Sequence, residues 1–143
     1  FNLRSTNLNA HIGIRQLKLL NKFIRIRNQN YKFYLQILNK YKKYFYLIIP
    51  KKINYISSYA FPLILKNKRK IIQLKNIFKE NKVEFRPLIS GDLTKQPYLK
   101  KFRSKKNIFG SMVHKNALYI GNNQFVDKKR LLKLKSFFSR IFS

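Results

Sequence analysis

The chain has 143 residues, no cysteine, and 33 lysines and arginines against 4 acidic residues, a formal charge of +29. A chain of this length supports one domain and buries roughly two-thirds of its unfolded surface, and its 45% hydrophobic share is not that of a disordered segment. Lack of cysteine excludes a disulfide framework, a thiolate metal centre and a cysteine nucleophile; His11 and His114 are the only imidazoles, no carboxylates group near either, and no metal site is expected.

The first expected element is a helix over Asn7–Lys40, capped by Ser5 or Thr6. Its apolar stripe runs through Leu8, Ile12, Leu17, Leu20, Ile24, Tyr31, Leu35 and Leu38 at three-to-four spacing. So long a helix in a small domain implies either a bend near residues 28–30 or an interface with a second subunit. Residues 44–49 form the longest apolar candidate for a membrane span, but Pro50 and flanking lysines end it far short of the ~20 residues needed.

A strand is expected over residues 57–65, with Pro62 marking it as an edge strand. Residues 68–81 read as a helix through Ile71, Ile72, Leu74, Ile77 and Phe78, stopped by Asn81 in the left-handed conformation. Residues 83–86 read as a short strand ended by Pro87, and residues 88–113 as mostly irregular chain, functional or mobile. A third strand follows over residues 117–120, closed by Gly121-Asn122-Asn123. Asp127 caps a last helix with apolar positions Leu131, Leu132, Leu134, Phe137, Phe138 and Ile141. The sum is a small α+β layer, a long N-terminal helix followed by a short sheet of about three strands with helices on one face. The boundary falls between residues 1–56, the long helix and an extended connection, and residues 57–143, a small domain.

Charge alone points to a basic ribosomal or RNA-binding protein, since +29 attracts phosphate backbones without reading sequence. Two details weaken that reading. The 24 lysines outnumber the nine arginines, although the arginine fork suits specific phosphate or base contacts. No P-loop, GxGxxG, HExxH, GxSxG or RNP-type signature is present. The basic runs at residues 66–70 and 100–106 could hold phosphate, but solvated loops in a lysine-rich protein are the plainer reading.

Two polar segments carry more information. Asn2-Leu3-Arg4-Ser5-Thr6-Asn7-Leu8-Asn9-Ala10 places an amide and a guanidinium just before a helix N-terminus, a setting that suits an anion. Arg86-Pro87-Leu88-Ile89-Ser90-Gly91-Asp92-Leu93-Thr94-Lys95-Gln96-Pro97-Tyr98 is a polar loop leaving a strand, and His114 to Asn123 completes the polar set.

These segments resemble the C-terminal part of the DegT/DnrJ/StrS family of pyridoxal-phosphate (PLP) dependent nucleotide-sugar aminotransferases. The family pattern Asn-x-Arg-x-(Thr/Ser)-x-(Leu/Ile)-x-Ala-x-x-Gly-x-x-Gln-Leu is met in register by Asn2, Arg4, Thr6, Leu8, Ala10, Gly13, Gln16 and Leu17. The loop from Arg86 to Pro97 and the Tyr119-Ile120-Gly121-Asn122 strand end resemble lipopolysaccharide-sugar members.

The resemblance implies a cytoplasmic fold-type I homodimer in surface-polysaccharide synthesis, taking a keto nucleotide-sugar substrate and an amino-acid donor, with no specific nucleic-acid partner and no membrane. It implies that Asn2 and Arg4 are cofactor-binding, Asn2 hydrogen-bonding the PLP phosphate across the dimer and Arg4 lying near the phosphates of the cofactor or the nucleotide sugar, and that Arg86, Asp92, Gln96 and His114 lie at the substrate mouth. Each of the four also has an ordinary reading: Arg86 and Gln96 as surface residues, Asp92 as a turn residue, His114 as a loop histidine. The chain starts at Phe1 and its one methionine is Met112, so it is expected to be part of a longer protein. The Schiff-base lysine would then lie upstream and no catalytic residue within these 143. The resemblance thus implies a PLP-dependent sugar aminotransferase, inactive in these 143 residues alone; some relatives are sugar 3-dehydratases with histidine in place of that lysine, which leaves dehydration as the alternative.

Overall fold

The computed structural model describes residues 6–49, 56–89, 91–102 and 108–143. Helix α1 (Asn7–Lys40) runs 34 residues as its periodicity predicts, and Thr6 is the cap, its hydroxyl accepting the Asn9 N–H at 3.2 Å. The helix continues through residues 28–30 instead of breaking. Asn28 and Asn30 are buried and bond outward: Asn28 Oδ1 accepts from Ile56 N–H at 3.2 Å, and Asn30 Nδ2 donates to the Asn123 carbonyl at 3.3 Å. These amides dock the helix onto neighbouring chain.

The predicted stripe is only half used. Tyr31 and Leu38 are buried and Ile24 and Leu35 partly so, whereas Leu8, Ile12, Leu17 and Leu20 are exposed. The first half of α1 therefore projects from the core that holds its second half.

Among the described residues four strands, not three, make one antiparallel sheet: β1 (Phe45–Tyr46), β2 (Ala60–Leu65), β3 (Phe85–Pro87) and β4 (Ala117–Gly121), in the order β1-β2-β4-β3. β1 is too short to leave a periodic signal. Pro62 thus lies on an inner strand, contrary to the edge expected from sequence. The register explains why this is tolerated. Bonded and non-bonded pairs alternate along an antiparallel ladder; Asn122 N–H donates to the Tyr59 carbonyl at 2.7 Å, so the Pro62–Tyr119 pair three steps on is non-bonded. The proline nitrogen faces the β1 side, where the last pair is Tyr46 with Ile64. Pro62 sits where that pairing has already stopped.

Helix α2 (Lys68–Glu80) starts at Asn67, whose Oδ1 accepts the Arg69 N–H at 2.7 Å. Its end differs from expectation. Asn81 is the C-cap with φ −99°, and the left-handed residue is Lys82 at φ 54°. Val83 N–H donates to the Phe78 carbonyl at 2.8 Å and Lys82 N–H to the Lys79 carbonyl at 3.1 Å, the paired bonds of a Schellman ending in which glycine normally occupies the left-handed place. Lys82→Gly removes the Cβ strain but frees the unfolded chain. The balance is an expected gain of about 0.5–1 kcal/mol, read as a higher urea midpoint; a lower midpoint would mean that Lys82 carries no strain.

β3 begins two residues later than predicted and includes Pro87, which an edge strand accommodates. The stretch expected to be irregular is partly ordered: 3-10 turns at Leu93–Lys95 and Pro97–Phe102, then helix α3 (Ile108–Asn116) leading directly into β4. Helix α4 (Lys128–Phe142) starts at Asp127 as predicted, its carboxylate accepting the Arg130 N–H at 2.8 Å; Leu132, expected in the core, is exposed, and Phe142 is buried.

One core joins these elements. Phe61, Leu63 and Leu65 of β2 and Leu118 and Ile120 of β4 alternate onto the face covered by α1, α2 and α4. Tyr31 and Tyr34 of α1 each hold a ring centroid 4.8 Å from Phe61. Burial raises the Tyr34 phenol to about 12, and its hydroxyl donates to the Gly121 carbonyl at 3.2 Å. The fold class is the expected α+β.

Candidate functional site

Three of the four substrate-mouth candidates stand on one loop cluster. Gly91 takes φ +50°, a conformation open to glycine at little cost, and brings the chain against His114 in the last turn of α3. The backbone N–H of Asp92 donates to His114 Nδ1 at 3.4 Å. With Nδ1 accepting, a neutral imidazole carries its proton on Nε2, which is then a donor, and the residue is exposed.

Asp92 itself is buried and caps the 3-10 turn Leu93–Lys95. Its Oδ1 accepts from the Thr94 hydroxyl at 2.6 Å and from Thr94 N–H at 3.2 Å, while Oδ2 accepts from the Ser111 hydroxyl at 2.7 Å and lies 3.6 Å from Lys95 Nζ. The Thr94 and Ser111 hydrogen bonds lead in lowering its pKa from 3.8 to about 2. Asp92 is therefore an anion throughout the neutral range, and it ties the turn to α3. Gln96 is the half-buried residue that ends the same turn.

The depressed pKa fixes the sign of a pH effect. A carboxyl more acidic in the folded state stabilises the fold above about pH 4 and loses that contribution as pH falls toward 2. Asp92→Asn is expected to melt lower than the parent at neutral pH, with a flatter decline between pH 4 and 2. Parallel melting curves for the two proteins across that window would remove Asp92 as the titrating anchor.

Arg86 stands apart. It is exposed on β3, and its Nε and Nη2 donate to Glu84 Oε1 at 3.0 and 2.9 Å, a hydrogen-bonded pair that raises its pKa further. Among the described residues no hydrogen bond or ion pair joins it to Asp92, Gln96 or His114. Its side chain lines a cleft of about 760 Å³ between β3 and the start of α4, together with Lys82, Arg130, Lys133, Tyr59 and Tyr119. The cleft leaves no sign in the sequence, because α4 lies more than forty residues beyond β3 and its lysines and arginines alternate with core positions as on any amphipathic helix.

Asn2 and Arg4 lie outside the described residues. The helix they precede is described: the first turn of α1 carries no acidic residue, and residues 6–22 are all exposed. The basic run at 66–70 has a structural use, since α2 begins at Lys68 and Lys70 Nζ donates to the Ile141 carbonyl at 2.6 Å. Among the described residues no three His, Cys, Asp or Glu side chains group as metal ligands, and no helix is long and apolar enough to cross a membrane.

Residues 1–116 match the DegT/DnrJ/EryC1/StrS aminotransferase family, and the chain belongs to it. Among curated proteins it is similar to the GDP-4-keto-6-deoxy-D-mannose 3-dehydratase of Escherichia coli O55:H7, 29% identical over 136 residues. That alignment takes in 87% of this chain and 33% of the relative, so the chain spans about a third of the curated relatives it matches. A solved structure of the E. coli 3-dehydratase with bound hydrated PLP superposes with a TM-score of 0.73 at 25% identity, over 96% of this chain and 36% of that one. Helicobacter pylori PseC, an aminotransferase involved in pseudoaminic acid biosynthesis, superposes with a TM-score of 0.79 at 15% identity, over 99% of this chain and 38% of that one, a likeness of fold alone.

Proposed function

We propose that this chain is the C-terminal part of a PLP-dependent enzyme acting on a keto nucleotide-sugar in surface-polysaccharide biosynthesis, and that the reaction is removal of the sugar 3-hydroxyl. The observation that carries this reading is the contrast among relatives. Two curated relatives at 29% identity and the solved structure at 25% are named 3-dehydratases, a third curated relative at 28% is named only as the lipopolysaccharide biosynthesis protein RfbH, and PseC shares the fold at 15%. Amino transfer is the second reading, supported by the family as a whole. The RNA-binding reading retains only the charge in its favour.

The residues suit the cofactor's phosphate. A helix N-terminus has backbone N–H groups without helical partners, and α1 presents its own with no acidic side chain in the first turn and with open solvent around it. Asn2 and Arg4, immediately before it, would hold the PLP phosphate, reaching a partner subunit's site in a cytoplasmic homodimer. The cofactor, when bound, supplies the electron sink for cleavage beside the sugar ketone. Asp92, Gln96 and His114 would form the substrate mouth, with His114 Nε2–H as a donor to a sugar oxygen and Asp92 as the anchor that positions it. Residues 1–56 would carry the intersubunit arm and residues 57–143 the small domain. Arg86 shares this reading only through its sequence motif.

The test is an assay of the complete protein with GDP-4-keto-6-deoxymannose, PLP and glutamate, read by mass spectrometry. A product short of the 3-hydroxyl is expected, with a histidine encoded a few codons upstream of Phe1. A product carrying an amine in place of the keto oxygen, with lysine at that position, would establish the second reading. If neither product forms and the upstream frame holds neither residue, both readings fail.

A further inference from the structure

Consecutive residues leaving β4 each hold the middle of α1. The Gly121 carbonyl accepts from the Tyr34 hydroxyl at 3.2 Å, and Asn122 Nδ2 donates to the Arg27 carbonyl at 3.1 Å. The Asn123 carbonyl accepts from Asn30 Nδ2 at 3.3 Å, and Gln124 Oε1 accepts from Arg27 Nη2 at 3.3 Å. Asn122 is the centre of this clamp. Its side chain is fully buried, Nδ2 also donates to the Ser58 carbonyl at 2.9 Å, and its backbone N–H donates to the Tyr59 carbonyl at 2.7 Å. One residue thus ties α1, the approach to β2 and the end of β4 together.

The amide is kept for its donors. Both partners of Nδ2 are carbonyls, so only an NH2 group can face them. Oδ1 is buried with no hydrogen-bond partner among the described residues, a cost that an apolar side chain of the same shape avoids. A buried polar group held at such a cost suits a contact that specifies one geometry. The geometry specified here is the direction of α1. The helix is continuous from Asn7 to Lys40 and residues 6–22 are exposed, so its first half is carried as a lever from Arg27. That lever is about 30 Å long, and a tilt of about 10° at the clamp moves its tip by about 5 Å, beyond the reach of a hydrogen bond.

We propose that Asn122, the last residue of the Tyr119-Ile120-Gly121-Asn122 strand end, is a positioning residue that aims the first half of α1 and so places the phosphate contacts at its N-terminus. The proposal rests on the reading of that N-terminus as the site of the PLP phosphate.

Spin labels measure the aim directly. Asn9→Cys in the exposed start of α1 and Lys135→Cys on the exposed side of α4 take them in the full chain, which has no cysteine of its own. Pulsed dipolar spectroscopy should give a narrow distance distribution for the parent and one wider by about 5 Å for Asn122→Leu. Tyr34→Phe gives up one bond of the clamp while its ring stays packed on Phe61, and should widen it less. Asn67→Ala removes the cap of α2, which lowers the urea midpoint without touching the clamp, and should leave the distribution narrow. In the complete protein, Asn122→Leu should weaken PLP binding at least about tenfold, the value of one charge-assisted phosphate contact, and Asn67→Ala should not. An unchanged distribution, equal widening in Asn67→Ala, or unchanged PLP affinity despite widening would each overturn the proposal while the phosphate reading stands. Absence of PLP binding by the complete parent would instead strike the phosphate reading, and the proposal with it.

Discussion

Phe142→Ala is expected to lower folding stability by about 3–5 kcal/mol, the range for deleting a large aromatic side chain from a packed core. Phe142 lies in the last turn of α4, where helices commonly fray, yet it is 2% exposed. Its ring centroid lies 4.9 Å from Phe45, 5.1 Å from Tyr44, 5.7 Å from Phe138 and 5.9 Å from Tyr41. Those rings belong to α4 and to the segment running from α1 into β1, so one side chain joins the last turn of α4 to β1. Lys70 adds a second tie, with Nζ bonded to the Ile141 carbonyl and 5.8 Å from the Phe142 ring.

Domains are stable by only about 5–15 kcal/mol, so the loss would remove a large share of the fold. A urea titration followed by near-ultraviolet circular dichroism measures it. Phe142→Leu keeps most of the volume and should cost well under half as much. Phe125→Ala, at a site 73% exposed, should change the midpoint little. A shift for Phe142→Ala no larger than that for Phe125→Ala would detach the end of α4 from the core.

Periodicity reveals this structure where elements are long and fails where they are short. α1 is recovered at both ends because 34 residues of spacing leave little ambiguity. The two-residue β1 leaves none to read, and β3 shifts because two Pro-flanked residues fit several registers. Pro62 misleads because proline's rule concerns which side of a strand is paired, and that depends on how far β1 extends, a tertiary fact. α3 is hidden by Gly110, which reads as a breaker. Ile141 marks the last core turn by spacing, yet Phe142 beside it is equally buried, because Tyr41, Tyr44 and Phe45 close over its ring.

The site divides the same way. Asn2 and Arg4 are legible as a motif, and their placement lies outside the described residues. Asp92 and His114 are legible as polar residues in one loop system, but the hydrogen bond between them depends on Gly91, whose role no spacing announces. The cleft of Lys82, Arg86, Arg130 and Lys133 is invisible in sequence because the tertiary fold alone brings its three elements together.

Gly91→Ala should cost about 2–3 kcal/mol, from two sources that can be separated. At φ +50° any Cβ is strained, which accounts for about 1–2 kcal/mol. The added carbon would also sit 2.2 Å from His114 Nδ1 and 3.1 Å from Cε1, so the ring must leave. Its departure breaks the bond from Asp92 N–H, a further loss of about 1 kcal/mol. A double-mutant cycle with His114→Ala isolates the second part. In the His114→Ala background the steric and hydrogen-bonding costs vanish and only the backbone strain remains, so Gly91→Ala should cost roughly half of its value in the parent. The His114 ring resonances in the single variant should move as the bond to Asp92 is lost. An equal cost in both backgrounds, with unmoved His114 resonances, would show that glycine is needed there for the turn alone and that His114 is held in place by α3 without it.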